Sequence, residues 1–273
     1  MRGLFTAGVL DAWMENDVVF DAIIGVSAGA CFGCNFKSRQ PGRVIRYNVR
    51  FARDPRYCGL GSLLRTGDLF NAEFCYRTLP ETLDPFDGAA FEASPIPFYI
   101  SVTDVKDGSP VYRRLERADR NAFDWIRASA SMPLVSRPVP VAGGLYLDGG
   151  LSDGLPLQYF ESIGYGRNVV VTTRPREYRK RPARGLWLMR PFLRRYPAVV
   201  RALETRHVRY NATLDHLAER EKTGAALVVA PPAALAIGRV CHDPDEMRRA
   251  YGIGRDAGVE ALPRLRAFGA IKG

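Results

Sequence analysis

A chain of 273 residues, 47% of them hydrophobic and 25% charged, can fill one large domain, and this composition excludes a disordered or fibrous protein. The formal net charge is +10, and the stretch from Arg174 to Arg206 carries most of it, with eleven Lys/Arg against two Glu. Five cysteines without paired spacing exclude a disulfide scaffold and lead us to expect reduced thiols in a cytoplasmic protein.

Leu4, Ala7, Leu10, Trp13 and Met14 recur at helical intervals and predict a helix over 4–16. Asp11, Glu15 and Asp17 follow the first apolar residues with no clear cleavage site, which argues against a signal peptide. The β-branched run 18–25 predicts a strand, and the small residues of 28–37 predict a helix. Residues 42–53 read as helical, after which Gly, Pro and Asp break the pattern up to about residue 90. A buried strand is expected over 97–105, with 108–115 as its hairpin partner. A helix over 122–132 is expected to stop at Pro133. Two short strands should meet at Gly143-Gly144 and end near Asp148. Further expectations are a strand at 167–174, one or two helices over 196–222, a strand at 225–231 and a helix over 243–265. Strands alternating with helices predict an α/β fold, a mostly parallel sheet covered on both faces.

No segment has the roughly 18 uninterrupted apolar residues that a membrane-spanning helix requires. The basic stretch 174–206 interleaves Tyr178, Trp187, Phe192 and Tyr196 with its cations. Such a stretch is either a solvated face or a contact for an anionic surface. No nucleic-acid-binding motif accompanies it, so nucleic acid is not expected and the surface preferred is an anionic membrane, touched peripherally. Cys31 and Cys34 form a C-x-x-C inside the helix 28–37, where core packing is expected rather than redox chemistry. His207, His216 and His242 form no metal-ligand cluster with the cysteines, and neither metal nor organic cofactor is expected.

Gly25-Val26-Ser27-Ala28-Gly29 fits G-x-S-x-G between a strand and a small-residue helix. That context suits a nucleophile elbow, in which a sharp turn requires little bulk at Gly25 and Gly29 and puts the hydroxyl at a helix N-terminus. The rival reading of Ser27 is a plain turn residue. A nucleophilic hydroxyl needs a base. His207 and His216 lie on a charged helical stretch and His242 opens a turn, so a histidine base is disfavoured.

The blocks "GVSAGA", "RASASMPLVSRPV" and "LYLDGG", in this order, resemble the patatin-like phospholipases, and "VVVTTRPREYRK" is similar to a bacterial branch of that family. The resemblance covers roughly residues 1–175. It implies a three-layer α/β/α sandwich and a Ser–Asp dyad without histidine, with Ser27 as the nucleophile and Asp148 as the base. Gly149 and Gly150 would leave room around the base, and Arg2 and Gly3 would flank the oxyanion site. Residues 1–175 would then be the catalytic core, and 176–273 a more helical part packed on it.

The family's glycine run and the strand before it have no counterpart ahead of Met1-Arg2-Gly3. The expectation is that the natural protein is longer and that Met1 is an internal methionine; the alternative is an oxyanion hole assembled differently, or not at all. Gly154 also stands where many members have Asn. The activity expected is hydrolysis of a lipid or other acyl ester through an acyl-enzyme. Acyl transfer by the same dyad and non-catalytic lipid binding are the rival readings.

Overall fold

The computed structural model describes residues 1–270. The chain opens with α1 (Leu4–Glu15), β1 (Ile23–Val26), α2 (Ala28–Lys37), α3 (Arg43–Arg50) and α4 (Leu60–Thr66). A wider π-type helix with Pro80 inside it (Phe74–Leu83) precedes α5 (Gly88–Ala93), the hairpin β2 (Phe98–Asp104) and β3 (Pro110–Leu115), and α6 (Arg120–Ser129). A second hairpin, β4 (Val139–Val141) and β5 (Gly144–Asp148), leads into a single 3-10 turn and α7 (Leu157–Ser162). Then come β6 (Asn168–Val171), α8 (Leu186–Met189), α9 (Pro197–Lys222), β7 (Ala226–Val229) and α10 (Pro244–Ala267).

Strand periodicity sorts the layers. Phe98, Ile100 and Val102 of β2 point to one face and pack with Ala30 and Cys34 of α2, Phe91 of α5 and Trp125 and Ile126 of α6. Tyr99 points the other way, onto Tyr159 and Phe160 of α7. The same alternation runs through β6 and β7. Val169, Val171, Leu227 and Val229 meet α1 and α10, while Val170 and Val228 meet Leu157 of α7 and Leu217 of α9. The expected α/β/α sandwich is therefore present.

The sheet is mixed rather than mostly parallel. β1–β2 and β6–β7 are parallel pairs, but the two hairpins add β3, β5 and β4 in antiparallel register. Among the described residues the strands form a five-stranded and a two-stranded sheet. α1 lies against α10 so closely that a Cβ at Gly8 would collide with the Tyr251 carbonyl, and one at Gly254 with the Phe5 carbonyl. Trp13 Nε1 donates to the Gly258 carbonyl at 3.1 Å, so the C-terminal helix is part of the core.

Some elements differ from expectation. β1 starts at Ile23 rather than 18, because Val18 folds back and donates its N–H to the Trp13 carbonyl at 3.0 Å. α6 starts earlier, where the Asp119 carboxylate caps it by accepting from Ala122 N–H at 2.9 Å, and it ends at Ser129, ahead of Pro133. Residues 60–93, read as broken, hold three helical segments. Residues 196–222 form one helix, α9.

Candidate active site

The strand register explains why Ser27 and Asp148 meet. β3 pairs along one edge of β2, so β1 and β5 share the opposite edge. β1 runs parallel to β2 and ends with Val26 opposite Ser101. β5 runs antiparallel and ends with Asp148 opposite Val102, the next residue along β2. The C-terminal ends of β1 and β5 thus point at each other, and the residue after Val26 falls beside Asp148. Ser27 Oγ donates to Asp148 Oδ2 at 2.6 Å.

Ser27 has φ 56 and ψ −120, a conformation that L-residues rarely adopt and that persists only where the surroundings enforce it. The enforcing contacts are visible. Ser27 N–H donates to Ser129 Oγ at 3.0 Å, and that hydroxyl donates to the Ser101 carbonyl at 2.7 Å. A Cβ at Gly25 would collide with the Gly29 carbonyl, so glycine is required there. Gly29 differs from expectation, since a Cβ there would meet nothing within 4 Å. The turn brings the Gly29 backbone down on Gly25 and leaves the outer side of Gly29 open.

α2 begins immediately after Ser27. Its carbonyl accepts from Ala30 and Cys31 N–H at 3.0 and 3.1 Å, while the N–H groups of Ala28 and Gly29 take no partner among the described residues. Free donors and the positive end of α2 therefore surround the hydroxyl. Gly3 is brought to the same place: a Cβ on it would strike Ala28 Cβ and the Phe32 ring. Among the described residues the N–H groups of Arg2 and Gly3 are also without partners.

Asp148 is 2% exposed. Its Oδ1 accepts from Gly150 N–H at 2.7 Å, its carbonyl accepts from Thr103 Oγ1 at 2.8 Å, and its N–H donates to the Ser131 carbonyl at 2.8 Å. Gly149 passes so near β2 that a Cβ would collide with the Ser101 carbonyl. Burial pushes the Asp148 carboxyl above its ordinary range; the Ser27 hydroxyl, the Gly150 N–H and the charges of Arg206 and Lys180 pull it back. From behind, Arg209 of α9 clamps the turn by donating to the carbonyls of Leu151 and Ser152 at 3.0 and 3.1 Å.

The other candidates lie elsewhere. His216 Nε2 is 2.6 Å from Glu161 and His242 Nδ1 is 2.8 Å from the Ala52 carbonyl, and no histidine bonds to Ser27 or Asp148 among the described residues. Cys34 is buried and Cys31 half-buried against the core, and burial pushes their thiols up to about 12 and about 11. Gly154 faces the Tyr210 ring of α9, which a Cβ there would meet at an ordinary contact distance of 3.5 Å. Sequence reading missed Ser129, Ser131 and Thr103, although the first two lie in the block "RASAS". It also missed Arg206 and Lys180, which belong to the basic stretch. Among the described residues no helix is long and apolar enough to cross a membrane.

An α/β sandwich with a strained serine at a strand–helix turn defines the class of fold. The profile described as patatin-like phospholipase matches residues 1–161, and the chain belongs to that family. A second profile, a domain of unknown function (DUF6363), matches residues 196–269, which include α9 and α10. Among relatives, the uncharacterized protein YjjU of Escherichia coli (strain K12) is 32% identical over 180 residues, covering 64% of this chain and 49% of its own. The putative patatin-like phospholipase domain-containing protein M110.7 of Caenorhabditis elegans is 30% identical over 188 residues, covering 62% of this chain and 15% of its own. The lysophospholipase NTE1 of Pyricularia oryzae is 25% identical over 300 residues, covering 99% of this chain and 18% of its own. The chain thus spans about half the length of YjjU and less than a fifth of the other two.

Proposed function

We propose that the chain is a lipid acyl hydrolase working through a Ser27–Asp148 dyad. The observation that carries this reading is the 2.6 Å hydrogen bond from a strained serine hydroxyl to a buried carboxylate at a helix N-terminus. As Ser27 Oγ attacks an ester carbonyl, its proton passes to Asp148 Oδ2. The tetrahedral oxyanion is held by N–H groups at the start of α2, with Arg2 and Gly3 flanking it. Collapse expels the alcohol, which takes the proton from Asp148, and leaves the acyl group on Ser27. Water then gives a proton to Asp148, its oxygen attacks the acyl carbonyl, and the fatty acid leaves as Ser27 regains its hydrogen. Family membership and the lysophospholipase names of the fungal relatives support an acyl ester of a lipid as the substrate.

The basic segment 174–206 is read as the part that touches an anionic membrane. Trp187 and Phe192 are 71% and 76% exposed on it, interleaved with arginines, which suits an interface between headgroups and water. The decisive test is release of p-nitrophenol from short and long acyl esters. Wild type should turn over, and Ser27→Ala and Asp148→Asn should not. Folded wild-type protein that cleaves no ester would overturn the reading.

A further inference from the structure

Beside the dyad lies a group of cations that the proposed chemistry does not use. The ion pairs of the C-terminal region are numerous: Arg176 binds Glu221, Arg179 binds Asp215 and Arg190 binds Glu204. Arg174, Lys180, Arg206 and Arg239 are different. Among the described residues none of these four side chains makes an ion pair or donates a hydrogen bond, and Arg206 Nε is buried without a partner. Lys180 and His207, the neighbour of Arg206 in the chain, line one groove. Burial, and then the charges of Arg206, Arg174 and Arg239, push the Lys180 amine down to about 8.

Arg206 adjoins the dyad. A Cβ at Gly150 would stand 3.0 Å from Asp148 Oδ1 and 3.1 Å from Arg206 Nη2, so carboxylate and guanidinium flank the same gap. An open groove of about 790 Å³ is lined by Glu177, Tyr178, Lys180, Asn211 and His207, the residue after Arg206, and the His207 Nδ1 is buried and unpartnered. Arg206 and Lys180, donors without acceptors whose charges both act on Asp148, leave an excess of positive charge that an entering anion would relieve. Two rings nearby already carry a cation: Arg174 lies 4.8 Å from the Tyr178 ring centre and Lys180 lies 4.2 Å from that of Tyr210. A quaternary ammonium entering there would meet Arg179, Lys180 and Arg181 against the carboxylate of Glu177, and it would compete with Arg174 and Lys180 for the rings of Tyr178 and Tyr210.

We propose that Lys180 and Arg206 form a head-group subsite that selects acyl esters ending in a bare phosphate over those capped by a quaternary ammonium. Resting on the hydrolase reading, this inference supplies its substrate class. The glycerol backbone holds a head-group phosphate only its own short carbon chain away from an ester carbonyl. A phosphate on Arg206 therefore leaves the carbonyl within reach of Ser27. Arg206 offers forked donors to two phosphate oxygens and Lys180 a point charge to a third.

The test uses the full chain carrying Ser27→Ala, which binds without turnover, and two water-soluble probes, dihexanoyl phosphatidic acid and dihexanoyl phosphatidylcholine. By calorimetry the phosphatidic acid should bind at least about tenfold tighter. That ratio should shrink to near one when Arg206→Gln or Lys180→Gln is added, and Arg206→Lys should restore part of it. Equal affinity for both lipids, or a ratio untouched by both Gln variants, would overturn the inference. Inorganic phosphate binding as tightly as the lipid would also overturn it, since the site would then serve free phosphate. Ester cleavage is read separately on wild type with p-nitrophenyl butyrate, which has no head group. Selective lipid binding without any turnover supports the subsite and overturns the hydrolase reading instead.

Discussion

Asp84 and Asp148 are buried to nearly the same degree, 5% and 2% exposed, and are held in opposite ways. Asp84 receives Arg46 Nε and Nη2 at 2.8 Å each, and Arg43 Nε stands 3.3 Å away. Arg43 is itself anchored by Asn35 Oδ1 at 2.9 Å and the Asp84 carbonyl. Asp148 receives only a hydroxyl and a backbone N–H, while Arg206 stands near it without bonding to it. A carboxylate saturated by guanidinium groups ties α3 to the segment after the π-type helix and has nothing left to accept. One that is left under-compensated, with a hydroxyl as a main partner, is free to accept the proton that the proposed mechanism assigns to it. The difference separates a carboxylate that ties elements of the fold together from one left with capacity to accept a proton.

The largest effect expected from this contrast is on rate. Ser27→Ala and Asp148→Asn should each lower kcat for p-nitrophenyl butyrate by more than about 10³-fold. A loss below tenfold in Asp148→Asn would remove the carboxylate from the mechanism. Next comes stability at the other carboxylate. Arg43→Leu leaves Asp84 with one partner inside the protein, and urea denaturation should show a loss of about 3 kcal/mol. The activity of the molecules that remain folded should change little; a stability unchanged by the substitution would erase the contrast.

Asp148→Asn should move stability the other way. Folding costs free energy to keep this carboxylate charged, so a neutral amide should raise Tm, on the order of a few degrees. A clear fall in Tm would mean that Asp148 is as well compensated as Asp84. The smallest effect concerns pH. In the proposed mechanism Asp148 acts only when ionised, and burial raises its pKa, so kcat/KM should fall as pH drops through a value above the ordinary carboxylate pKa of about 3.9. Arg206→Gln removes a charge that lowers that pKa and should move the acid limb to still higher pH. An acid limb that stays put would show that Arg206 does not act on Asp148.

Much of the candidate site was legible because its parts are local. Gly25, Ser27 and the small residues behind them describe one turn, and steric need at Gly25 alone makes the motif readable. The pairing of Ser27 with Asp148 was legible only through family resemblance, because 121 residues separate them. The basic stretch 174–206 was visible as charge, but nothing in its composition distinguished Arg176, paired with Glu221, from Arg206, whose Nε is buried without a partner among the described residues. Short helices between residues 60 and 93 were missed because Gly, Pro and Asp within them obscure any periodicity.

By itself the sequence determined the α/β class, most strand and helix positions, the serine turn and the asymmetry of charge. Each of these rests on propensity, periodicity or composition over a few residues, which survive without knowledge of neighbours. Tertiary structure alone decided that β1 and β5 end face to face on one edge of β2, that Ser129 bonds the strained serine N–H, and that α9 brings Arg206 beside Asp148. Those facts depend on register and on which element crosses which, and both follow from the packing of distant segments into one core.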